Sequence, residues 1–260
     1  MIALPIMMFA IGLAIAACSG TIDLHMPRPG GAGPSPLPGV RQLVVVTSRD
    51  WTSIEGHLQS FERANDAAPW QKVGSDLTVA LGRAGMGWGR GRHQSASTNG
   101  PIAQEGDGRA TAGAFDLGPA FGFASPKEVG PLKIPYLEET DHLECVDDIR
   151  SRFYNRIIDR SAVGDVDWSS SEKMSEQGDS YRWGIVIRQN DPPLPGMGSC
   201  IFLHSWSSSR GTAGCTGLDP DRMEAMIRWI DAEKKPLLIQ LPRNEYEHAR
   251  RAWQLPALSR

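Results

Sequence analysis

Apolar positions in this chain fall into short runs rich in β-branched residues, set between stretches of Gly, Pro, Asn and Asp. Leu43-Val44-Val45-Val46-Thr47 predicts a strand, because β-branched side chains pack well on a pleated surface. From Trp51 to Arg63 two patterns compete. We expect strands and turns there, continuing into Trp70-Gln71-Lys72-Val73, while Trp51, Ile54, Leu58 and Phe61 recur at helical spacing and offer a helix instead. Residues 76–81 and 181–188 predict further strands, and residues 199–204 a buried strand ending on a histidine. Near the end, Asp219 supplies an N-cap and Pro220 a first-turn proline, with Met223, Met226, Ile227 and Ile230 on one helical face. Lys234-Lys235-Pro236 closes that helix and residues 237–241 return as a strand; the tail 244–260, with Trp253, predicts a short helix packed on the domain.

Two glycine-rich segments interrupt the pattern. Residues 82–91 would suit a phosphate cradle, but no helical pattern follows before Asn99-Gly100-Pro101, so the anion site at a helix start is missing. Residues 105–115 place turn formers ahead of a short apolar segment and are expected to be a surface loop.

The 28 Gly and 19 Pro among 260 residues reinforce a turn-rich, mainly β fold with short helices. A net charge of -3 gives no basic field, so nucleic acid is not an expected partner. Residues 1–18 form an apolar run ending in Ile15-Ala16-Ala17-Cys18. This run resembles a bacterial lipoprotein signal peptide, which implies lipidation of Cys18 and a periplasmic or extracytoplasmic protein held to a membrane by its anchor. It departs from the usual pattern in having no Lys or Arg before Cys18, and a membrane helix is the alternative. The Pro/Gly-rich residues 19–40 are expected to be a tether, residues 41–243 one catalytic domain and residues 244–260 a tail.

Candidate chemistry gathers near the C-terminal end. A thiol attacks as thiolate, and an ordinary thiol is only slightly ionised at neutral pH. His204, eleven residues before Cys215, is within a loop's reach and can serve as its base. Gly214 allows a tight turn whose amides could face an oxyanion, Thr212 could brace the loop, and the helix starting near Asp219 would add a modest positive field.

Ser199-Cys200-Ile201-Phe202-Leu203-His204, then Gly211-Thr212-Ala213-Gly214-Cys215, resemble the catalytic core of the L,D-transpeptidase (YkuD) family. Residues 105–113 resemble that family's Gly-Asp-containing segment, and the likeness runs with gaps from Leu43 to Leu241. The resemblance implies a mixed β-sandwich and a peptidoglycan L,D-transpeptidase, in which Cys215 is acylated by a peptide stem and His204 shuttles the proton. Thr212 and Gly214 carry over as motif positions, and no metal or organic cofactor is implied.

This chain departs from the family in having Gly217 where an arginine usually follows the cysteine by two residues, and in a shorter His-to-Cys spacing. Arg210 could supply the missing charge. Alternative functions are an L,D-carboxypeptidase or amidase using the same thiol, or a non-catalytic wall-binding lipoprotein. Cys145 and Cys200 either form a disulfide or stay as buried thiols, and Tyr154, Asn155 and His142 could line a substrate groove.

Overall fold

The computed structural model describes residues 36–93 and 99–259. The signal-peptide run, Cys18 and tether residues 19–35 lie outside them. The strands are β1 (Gln42–Ser48), β2 (Glu55–Glu62), β3 (Gln71–Ala80), β4 (Met86–Trp88), β5 (Ala110–Gly122), β6 (Tyr136–Glu138), β7 (Leu143–Val146), β8 (Arg156–Asp159), β9 (Ser171–Lys173), β10 (Trp183–Ile187), β11 (Phe202–Ser205), β12 (Thr216–Leu218) and β13 (Leu237–Pro242). Among the described residues, three short α-helices accompany them, α1 (Pro126–Val129), α2 (Pro220–Trp229) and α3 (Arg243–Ala252), with three 3-10 turns besides. The fold is mainly β, as expected.

Eight strands pair in the order β10-β11-β12-β3-β2-β1-β13-β5, and β5 pairs again with β10, which closes the path into a barrel-like ring. β4 and β6 flank β5, while β7, β8 and β9 form a separate small sheet. β1 and β13 run parallel at the centre, and every residue of both is buried. That double burial explains why β1 reads as a continuous apolar run rather than an alternating one. α3 packs across β1 and β13, and Trp253 just beyond it is buried. The tail is therefore part of the folded unit.

Several sequence expectations need correction. Residues 55–62 are strand, so the helical alternative does not hold; Leu58 and Phe61 sit on opposite faces of β2, both of which are covered. The predicted strands at 70–73 and 76–81 are one strand, β3, whose register against β2 shifts between Leu58 and Ser60. The glycine-rich stretch 82–91 contains β4, with Trp88 packed beside Trp51. Residues 110–115, expected in a surface loop, begin the longest strand, β5, and are buried. The helix after Asp219 ends at Trp229, before the Lys-Lys-Pro segment. The tether also stops short of residue 40: Leu37 and Val40 belong to the core, held by the buried Arg63 guanidinium on their carbonyls at 3.0 and 2.7 Å.

Candidate active site

The loop carrying Cys215 is pinned from both sides. Thr212 N–H donates to Leu81 O, and Arg83 N–H donates to Thr212 O, each at 2.8 Å, so the loop is stitched to the end of β3. Thr212, itself buried, donates its hydroxyl to Cys215 O at 2.6 Å and accepts from Gly214 N–H at 3.3 Å. Thr212 is thus the brace expected of it. Gly214's amide is committed to that hydroxyl, which leaves the Cys215 amide, without a protein acceptor among the described residues, as the donor available to an oxyanion.

β11 and β12 pair in parallel, with Leu203 opposite Thr216 and His204 opposite Gly217. Alternation puts Phe202 and His204 on one face, and Cys215, just before β12, packs in one cluster with Phe202 and Tyr181. The Cys215 sulfur accepts from Phe202 N–H at 3.3 Å and donates to Cys200 O at 3.5 Å. Tyr181 stands edge-on to both Phe202 and His204, with ring centroids 5.5 and 5.2 Å away, and its hydroxyl donates to Glu172. No hydrogen bond joins the thiol to the imidazole.

His204 Nδ1 lies 3.0 Å from Ser180 O and 2.8 Å from Ser205 O. Carbonyls only accept, so Nδ1 carries the proton and Nε2 is left as the basic nitrogen. Burial pushes the imidazole toward its neutral form, partly opposed by those two carbonyls. Burial also pushes the Cys215 thiol well up, the Glu172 carboxylate adds to that, and Phe202 N–H works against it. The resting thiol is neutral.

Cys215 and Gly214 line a cavity of about 410 Å³, whereas His204 and Thr212 do not reach it. The same cavity is lined by Arg83 and Arg109 and by Glu105, Asp107, Asp147 and Glu172. Arg109 is committed to the fold: its Nη1 donates to Ala84 O at 2.7 Å and Met86 O at 3.1 Å, and Asp107 sits beside it. Burial raises Glu105 and Glu172; Glu105 is bonded by the hydroxyls of Tyr154 and Ser199, and Glu172 by that of Tyr181.

Cys145 and Cys200 are joined in a disulfide, and Cys215 is the free thiol among the described residues. Two other expectations fail. A three-residue strand, β12, separates Cys215 from α2, whose first amides are capped by the Asp219 carboxylate, so the helix lends the thiol no field. Arg210 does not line the cavity; its carbonyl accepts from Trp206. Gly217 explains the absent arginine, because a Cβ there would fall 2.5 Å from Trp206 Cβ. Trp206, edge-on to His204, fills that place.

Of the groove candidates, Tyr154 supports Glu105, Asn155 holds Cys200 N–H at 3.1 Å, and His142 is exposed at a turn away from the cavity. Sequence reasoning missed Tyr181, Glu172, Arg83 and the Ser180 carbonyl. Arg83 lay in the glycine-rich segment 82–91, Tyr181 in a predicted strand and Glu105 in the segment 105–113, but none of them was given a role at the site. Among the described residues, no group of three or more His, Cys, Asp or Glu side chains is arranged to hold a metal ion. No protein-family model, curated protein or solved structure matches the chain.

Proposed function

We propose that the protein is a cysteine-dependent acyltransferase acting on peptidoglycan peptide stems, of the L,D-transpeptidase kind, whose mainly β core is a variant of that family's mixed β-sandwich. The observation that carries the reading is a free, braced thiol in a cavity wall, clustered with Tyr181, whose ring meets a histidine with its Nδ1 locked so that Nε2 is the base. On this reading the thiol gives its proton to His204 Nε2 as sulfur attacks the carbonyl carbon of the donor peptide bond. The Cys215 amide receives the developing oxyanion. Collapse breaks the C–N bond, the imidazolium returns the proton to the departing amine, and a thioester remains on Cys215. An acceptor amine then attacks the thioester, forming a new amide and restoring the thiol; water in its place gives the carboxypeptidase reaction. Burial suits this order, because a neutral resting thiol resists oxidation until substrate fills the cavity. The implied lipid anchor would hold this chemistry on the outer side of a membrane.

A non-catalytic wall-binding protein is the second reading, favoured by the missing hydrogen bond between thiol and imidazole. Mass spectrometry of purified muropeptides incubated with the protein separates the readings. New crosslinks or exchanged terminal residues, lost in Cys215→Ser, are the expected result. Trimmed stems alone would make it a hydrolase, and unchanged muropeptides would contradict the enzyme reading.

A further inference from the structure

Among the described residues, Arg83 is the cavity arginine whose charge is uncommitted. It is exposed, no carboxylate of the described residues lies within 4 Å of its guanidinium, and its contacts are long ones to Ala213 O at 3.4 Å and Gly106 O at 3.5 Å. Those carbonyls belong to two loops, one carrying Cys215 and the other Glu105 and Asp107, so the guanidinium bridges two loops that wall the cavity into which Cys215 also faces. Both loops make room for it. A Cβ at Gly211 would fall 2.6 Å from Arg83 Cα, and one at Gly108 would fall 2.9 Å from Arg83 Cζ.

The opposite charges in this cavity narrow what can bind the arginine. Glu105, Asp107, Asp147 and Glu172 would repel a dianionic phosphate more than a single planar carboxylate. A guanidinium offers a carboxylate two parallel N–H donors. We propose that Arg83 binds the terminal carboxylate of a peptide in the Cys215 cavity, taking over from the β3 end the role for which Gly217 leaves no side chain. This deepens the acyl-transfer reading and rests on it for the identity of the ligand. On that reading Arg83 selects stems with a free terminus.

Binding without chemistry tests it. With Cys215→Ala protein, calorimetry compares a short peptide ending in D-alanine with the same peptide as its C-terminal amide. The acid is expected to bind about tenfold tighter, a difference of about 1.4 kcal/mol. Arg83→Gln reduces the ratio to about one, Arg83→Lys leaves an intermediate ratio because the charge survives without the fork, and Arg210→Gln leaves it unchanged. Near-ultraviolet circular dichroism checks that each variant is folded. Equal binding of acid and amide, a preference that survives Arg83→Gln, or no binding of either peptide would overturn the inference. Failure of the acyl-transfer reading looks different: wild type would form no thioester while the acid preference remained.

Discussion

Removing the Cys145–Cys200 disulfide should loosen the thiol site and destabilise the domain together. The bond closes a loop with a sequence separation of 55. For a loop of that length the chain-entropy relation gives about 4 kcal/mol of stabilisation, through the freedom withheld from the unfolded chain. In a domain of this size that corresponds to a fall in Tm of roughly 8–16 °C. The local consequence follows from position: Cys200 O accepts from the Cys215 thiol, Phe202 N–H donates to it, and Asn155 holds Cys200 N–H. Cys145→Ala/Cys200→Ala is measured by urea unfolding and by the rate at which iodoacetamide alkylates Cys215. The expected result is a midpoint drop equivalent to about 4 kcal/mol with faster alkylation. A loss below about 1 kcal/mol with an unchanged alkylation rate would refute the claim that the crosslink holds this wall in place.

Two pH effects follow from the buried carboxyls. Neither oxygen of Glu139 has a hydrogen-bond partner, and burial, with the Glu172 charge adding to it, pushes this group up to about 8. A folded-state value raised above the unfolded one means its stability contribution is full below about 4.5 and is lost as pH rises through about 8. Glu139→Gln therefore gains stability relative to wild type across that window in urea titrations; parallel curves would count against the assignment. Glu172 raises the Cys215 thiol, so Glu172→Gln, which keeps an acceptor for Tyr181, moves the pH midpoint of Cys215 alkylation downward. An unmoved or raised midpoint would remove Glu172 from the electrostatics of the thiol. His204→Gln retains the fold but loses the base, and donor acylation slows by about 100-fold or more, read by quench-flow mass spectrometry; an unchanged rate would exclude His204.

What the sequence made legible was local. Asp219 and Pro220 set the start of α2, apolar runs set β1 and β13, and the His204 and Cys215 motifs run into the paired strands β11 and β12. β5 escaped notice because its first half is mostly Ala and Gly, which carry little strand signal, while four neighbouring strands pair with it. The split reading of β3 has a local cause too, since its pairing with β2 is irregular just where the two predicted halves separate. Arg83 reaches the Cys215 loop from 130 positions earlier in the chain, and the Ser180 carbonyl meets His204 across 24. Neither contact leaves a periodic trace, because both depend on how the ring of strands closes. The disulfide was open for a similar reason: Cys145 lies in the small sheet, and nothing local brings it to Cys200.

The most direct test of the central claim is the intact mass of the protein after exposure to a peptide-stem donor or a carbapenem. A single acyl adduct, mapped by peptide digestion to Cys215 and absent from a folded Cys215→Ser variant, is the predicted result. Folded wild-type protein that acquires no adduct at Cys215 would contradict the account.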